Sequence, residues 1–208
     1  MTSAELDSVP DGCQVAATAD VADTARIGPG SRVWQLAQIR EHASLGRSCN
    51  IGRGACIGPG VSIGDNVKIQ DYALVYAPAS LEHGVFIGPA AVLTNDLHPR
   101  SVDTTGQLKT GDDWTPVGVT VREGASLGAR SVCVAPVVIG RWAMVGAGAV
   151  VVSDVPDFAL VVGVPARRIG WVGRAGTRLR QGDDGLWRCA QTGECYQEVD
   201  GALHELHP

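Results

Sequence analysis

The sequence predicts an all-β fold: a parallel solenoid of hexapeptide repeats with one inserted loop and a small C-terminal extension. Large aliphatic residues recur six apart, from Val15, Val21, Ile27 and Val33 through to Ile87 and Leu93. The residue two before each is small, as at Ala19, Ala25, Ser31, Ala37, Cys49 and Ala91. Glycine follows the aliphatic residue at 28, 46, 52, 58, 64 and 88. A six-residue period fits neither a helix nor an alternating strand. It fits short strands that each place one apolar side chain in a thin shared core, and glycine at the corners would supply φ freedom.

Residues 1–12 read as a polar lead-in, and the solenoid is expected over 13–155. The pattern stops after Leu93 and resumes at Val121, Leu127, Cys133, Ile139, Val145 and Val151. The step from Leu93 to Val121 is 28 residues, so the phase has slipped and roughly 96–118 is an insertion. Insertions in a repeat array form surface loops, often on the binding face. This one carries His98, Pro99, Arg100, Lys109 and Trp114, which makes it the first place to look for chemistry. Residues 156–208 form the extension: Pro156 and Pro165 end regular structure, and GDDG at 182–185 suits a turn.

Composition narrows the classes of function. The 208-residue chain has net charge −5 and no basic stripe, which argues against nucleic acid as a partner. No signal-like segment or transmembrane-length apolar run is present, so a cytoplasmic protein without a membrane partner is expected. Flat solenoid faces need cover, and a cyclic homo-oligomer is the natural solution. Outward Trp34, Tyr72, Tyr76 and Trp142 are candidates to pack against a neighbour or a ligand. Cys13, Cys49, Cys56 and Cys133 fall in the repeat and read as buried packing residues. Cys189 and Cys195, with five residues between them and no second pair, do not make a zinc site, and no metal is expected.

Four stretches carry a resemblance: VKIQDYALVY at 67–76, FIGPAAVLTNDLHPR at 86–100, IGRWAMVGAGAVVVSDVPDFALVVGVPARRIGWV at 139–172 and CAQTGECY at 189–196. With the repeat, they make the chain similar to the left-handed β-helix acyltransferases of the hexapeptide-repeat superfamily. Within these it most resembles the nucleotide-sugar N-acetyltransferases that acetylate UDP-2-acetamido-3-amino-2,3-dideoxyglucuronate and related amino sugars. The resemblance implies a left-handed helix, a homotrimer with active sites between subunits, and acetyl-CoA lying along the groove beside the insertion. It would put Gly146, Ala147 and Gly148 near the pantetheine arm, Arg167 and Arg168 near the CoA phosphates, and Pro165 among the cofactor-binding residues.

Thioester aminolysis needs an uncharged amine, a donor for the developing oxyanion and good positioning. By the resemblance, Asn95 of the LTN motif orients the substrate amine. His98, just before Pro99, is the candidate base. Glu82 matches an acidic family position and is expected to point outward beside the coil of Asn95. Tyr76, His83, Arg100 and Gln35 are the candidate substrate-binding residues. His83 stands where the family usually has a second acid, and Gln35 follows Trp34 where relatives tend to have His. Those departures leave the sugar open. The expected activity is acetyl transfer from acetyl-CoA to a nucleotide-linked amino sugar. The alternatives are a non-catalytic solenoid scaffold or binding protein and a γ-class carbonic anhydrase, which needs a closely spaced His pair plus a third His.

Overall fold

The fold is given by a computed structural model that describes residues 12–206. The expected lead-in lies outside the described residues except for Gly12. Two-residue strands stack into three parallel sheets that form the faces of a three-sided prism, the left-handed parallel β-helix. On the first face Val33 pairs with Ile51, Ile51 with Ile69, and Ile69 with Ile87. The second face stacks Ile39, Ile57, Val75, Leu93, Cys133 and Val151. The third stacks Ile27, Leu45, Ile63, Leu81, Val121 and Ile139. From Val33 onward these residues and the small residues two before them, such as Ala37, Ala55 and Ala73, form the buried core. In the first coil Val15, Val21 and Ile27 stay half-exposed, because no described rung lies beneath them.

The register measures the insertion. Successive rungs pair eighteen residues apart, but Leu81 pairs with Val121, forty apart, so twenty-two residues are inserted in that coil. The excursion leaves the second face after Val92–Leu93 and joins the third at Val119–Val121. The Val117 N–H donates to the Asn95 carbonyl at 3.0 Å, so the insertion is clipped shut at its base. Gly118 makes the return possible, since a Cβ there would lie 2.5 Å from the Pro78 carbonyl oxygen.

Two expectations need correction. The glycines at 28, 46, 52, 58, 64 and 88 do not have positive φ. Their role is close approach: a Cβ on Gly52 would lie 2.6 Å from the Asp71 nitrogen in the next coil. Positive φ falls two residues later, at Gly30, Ser48, Gly54, Gly60, Asn66 and Ala90. Of the four repeat cysteines, Cys49 and Cys133 are buried, while Cys13 and Cys56 are only half-buried. Cys13 lies in the open first coil, and Cys56 faces outward from the second face.

The first face continues past Val145. Ala159–Val162 adds in parallel, and Arg167–Trp171 folds back antiparallel to close it. A four-stranded antiparallel sheet follows, made of Arg180–Gln181, Trp187–Arg188, Cys195–Val199 and Ala202–Leu206. GDDG makes its first turn, with the Gly182 N–H donating to the Leu186 carbonyl at 2.8 Å. Tyr196 and Leu203 of this sheet are buried, together with Trp171 of the closing strand and with Leu179 and Cys189 next to the sheet strands. Tyr196 meets Phe158 of the solenoid edge-on, with ring centroids 5.3 Å apart.

Candidate active site

Three edges join the faces, and each hexapeptide carries the chain from one edge to the next. The second edge, between the second and third faces, holds Tyr76, Thr94 and Asn95 and launches the insertion. Asn95 is half-buried. Its Nδ2 donates to the Ala77 carbonyl at 2.8 Å, which fixes the side chain and leaves Oδ1 as an open acceptor. The neighbouring Thr94 is also fixed, its Oγ1 accepting the Ala135 N–H at 3.0 Å. Tyr76, one rung below Thr94, is exposed.

His98 lies three residues beyond Asn95. Its backbone N–H donates to Asp96 Oδ1 at 2.8 Å in a tight turn. Its imidazole is exposed and makes no hydrogen bond among the described residues, so a ring nitrogen is free to take a proton. Arg100 donates from Nη1 to the Pro99 carbonyl at 2.9 Å and faces a cleft within the insertion.

Glu82 and His83 lie elsewhere, on the third edge. Glu82 follows Leu81 and Asn95 lies beyond Leu93, twelve residues and therefore two faces further on. The expectation that Glu82 stands beside the coil of Asn95 is corrected for a single chain: the turn of the prism parts them. Glu82 Oε2 accepts the Glu123 N–H at 2.9 Å. His83 Nδ1 accepts the Asp65 N–H at 2.9 Å. A neutral imidazole that accepts at Nδ1 carries its proton on Nε2, so this ring presents a donor outward. Its side chain is 68% exposed.

The first edge carries Gln35 near one end and Gly146, Ala147 and Gly148 near the other. Five rungs separate Val33 from Val145, about 24 Å at ~4.8 Å per rung. Gly148 has φ +69 and open space where a Cβ would be, so its backbone is accessible to a ligand. Pro165 and Arg167 are exposed where the chain folds back at the end of the first face. Arg167 bonds only the Ala166 carbonyl, at 2.9 Å, among the described residues. Arg168 is already engaged: it pairs with Glu198 at 3.1 Å and lies 4.0 Å over the Trp171 ring.

The glutamate that holds Arg168 was not visible in the sequence. Glu198 accepts from Trp171 Nε1 at 3.0 Å, from Trp187 Nε1 at 3.2 Å and from Arg168, which joins the closing strand to the C-terminal sheet. These partners lie eleven to thirty residues away, and no local motif announces them.

No cysteine stands on the insertion edge ready to carry an acyl group. Burial pushes the Cys133 thiol up to about 12 and raises those of Cys49 and Cys56. Hydrogen bonds from Thr192 lower the thiol of Cys189, but that residue is buried in the C-terminal sheet. One chain therefore assembles Tyr76, Asn95, His98 and Arg100 along one edge and places the other candidates on different edges. An amide oxygen can hold a nucleophilic amine, and an exposed imidazole can take its proton.

The repeats match the family described as hexapeptide repeat of succinyl-transferase over residues 43–70 and 118–153. The matched residues lie within the β-helix described above. It is 45% identical over 86 residues to the dTDP-3-amino-3,6-dideoxy-alpha-D-galactopyranose 3-N-acetyltransferase of Aneurinibacillus thermoaerophilus, covering 41% of this chain and 44% of that protein. It is 39% identical over 93 residues to the serine acetyltransferase of Escherichia coli K12, covering 43% of this chain and 33% of that protein. The chain thus spans less than half the length of these curated relatives. Among solved structures, a UDP-N-acetylglucosamine acyltransferase from Bacteroides fragilis shares the fold, with a TM-score of 0.62 at 17% identity over 77% of this chain and 62% of that one.

Proposed function

We propose that this protein is an acetyl-CoA-dependent N-acetyltransferase whose acceptor is the amino group of a nucleotide-linked sugar, with the 3-amino position as the first choice. The observation that carries this reading is the insertion edge, where Asn95 is fixed by the Ala77 carbonyl with Oδ1 open and His98, three residues on, has an exposed ring that makes no hydrogen bond among the described residues. The 3-N-acetyltransferase relative, by its name, acts on the same kind of nitrogen. The amine N–H donates to Asn95 Oδ1, which aims the nitrogen lone pair at the thioester carbonyl. Attack forms the C–N bond and a tetrahedral oxyanion. Collapse breaks the C–S bond, the thiolate of CoA leaves, and His98 takes the proton lost by the amine. No acyl-enzyme and no metal enters this sequence. Backbone from Gly146 to Gly148 is assigned to the pantetheine arm, and Arg167, exposed beside Pro165, to a CoA phosphate. Arg168 is assigned to holding the C-terminal sheet.

The reading includes a homotrimer. Outward residues of the second face form an apolar stripe, Cys56, Leu74, Val92, Val132 and Val150 in register. The third face instead presents Ser44, Ser62, Ser80 and Thr120. A neighbour packed on the apolar stripe would bring its own third edge, with Glu82 and His83, toward Asn95. The site would then be shared between chains.

Asn95→Ala and His98→Ala are expected to lower turnover in a thiol-release assay by roughly ten- to a hundredfold, with the folded assembly unchanged. Unchanged turnover in both variants would remove this assignment of the insertion.

A further inference from the structure

The twenty-two inserted residues are an ordered structure. Val102 and Leu108 form an antiparallel bridge, and the Lys109 N–H donates to the Ser101 carbonyl at 3.0 Å. Asp103 Oδ1 ties the hairpin turn by accepting from the Thr105 N–H at 2.8 Å, the Thr105 hydroxyl at 2.7 Å and the Gln107 N–H at 3.0 Å. Thr110 then caps a single 3-10 turn, Gly111–Asp113: its Oγ1 accepts the Asp112 N–H at 3.4 Å, and its own N–H and hydroxyl donate to the Asp113 carboxylate. Between this turn and the hairpin lies a cleft of about 310 Å³ lined by Asp96, Arg100, Lys109, Thr110 and Trp114, among others.

The charges in the cleft are unevenly committed. Of the nearby carboxylates, Asp96 accepts the His98 N–H, Asp113 accepts from the Thr110 N–H and hydroxyl and also feels the Lys109 charge, and Asp112 is exposed. Neither Arg100 nor Lys109 makes an ion pair among the described residues. Lys109 is half-buried, a place where an ammonium gains from a permanent counterion. Trp114, 36% exposed, offers a flat ring on the same cleft. Two uncommitted cations beside an accessible indole suit a ligand that joins a phosphate to a planar aromatic ring. The cleft lies at the lower end of the volume range of small-molecule sites.

We infer that the Arg100–Lys109–Trp114 cleft is a nucleotide subsite, with the guanidinium and ammonium on phosphate oxygens and the base stacked on Trp114. The inference rests on the proposed acetyl transfer and adds which residues hold a nucleotide. That chemistry has two sources in the reaction, the nucleotide of the sugar substrate and the 3′-phospho-ADP of CoA.

Calorimetric titration of the full chain with UDP, dTDP and CoA, each alone, tests it. Arg100→Ala, Lys109→Ala and Trp114→Ala should each weaken one of these ligands by roughly ten- to a hundredfold, and the ligand that loses affinity names the source. Lys109→Met, which keeps the apolar stem and removes the charge, guards against a misfolded insertion, and Trp114→Phe should retain most binding. Wild-type binding of UDP, dTDP or CoA that none of the variants weakens overturns the subsite and leaves the acetyltransferase reading standing. Failure of the wild type to bind any of the three overturns both.

Discussion

In the proposed acetyl transfer Asn95 and His98 take different roles because their side chains have different freedoms. Asn95 is tied to Ala77, while His98 has only its backbone tied. His83, the other imidazole on a candidate list, carries its proton on Nε2 because Nδ1 is taken by the Asp65 N–H. Turnover should therefore fall by roughly ten- to a hundredfold in His98→Gln and be largely kept in His83→Asn, whose Oδ1 can still accept from Asp65; the opposite ranking would reverse the assignment. Glu198 gathers three donors, so Glu198→Ala should lower the stability of the C-terminal sheet by about 1–3 kcal/mol and shift tryptophan fluorescence through Trp171 and Trp187. Asn95 and His98 could be singled out as candidates in the sequence because they sit in a compact motif next to a phase break. The separation of Glu82 from Asn95 was not, since it depends on counting edges of the prism. The occupation of Arg168 was not either, since its partner is thirty residues away.

The repeat itself was the most legible feature. Each hexapeptide must fill one inward position with an aliphatic side chain, so the period survives whatever the outward residues are. The function of the glycines was less legible, because the sequence cannot distinguish a missing Cβ from a free φ. The structure separates the two, and so does a pair of variants. Gly52→Ala pushes a Cβ to 2.6 Å from the next coil and should cost up to about 3 kcal/mol. Gly60→Ala, at φ +68 with open space, should cost about 1 kcal/mol. Thermal unfolding that ranks them the other way would restore the φ explanation. Cys133 offers a pH test of the core. Its thiol titrates at about 12 when folded and near 8.5 when unfolded. Its contribution to stability is therefore complete below about pH 8.5 and is lost as pH rises toward 12. Cys133→Val, which restores the aliphatic residue of neighbouring rungs, should remove that alkaline component of unfolding. An unchanged alkaline slope would place the titrating group elsewhere.

At the scale of the molecule, the faces differ in chemistry although they share one backbone pattern. The apolar stripe of the second face ends at the edge that carries the insertion, so covering the stripe and completing the site are one event in this account. Leu74→Glu or Val132→Glu places a charge in the stripe and should reduce the assembly in analytical ultracentrifugation to a species of one 21.6 kDa chain, with turnover lost in parallel. Retained assembly would move the interface to another face. The sequence raised oligomerisation through the general need to cover a solenoid's faces and through the family resemblance. Choosing the second face as the proposed interface required knowing which outward residues align across coils on either side of the phase break.

Acetyl transfer is decided by thiol release from acetyl-CoA against UDP- and dTDP-linked 3-amino and 4-amino sugars. Turnover is expected with at least one member, giving an N-acetylated sugar, and is expected to be lost in Asn95→Ala. Silence across the panel, from protein that binds neither CoA nor any nucleotide sugar, would leave a solenoid built for something other than acyl transfer.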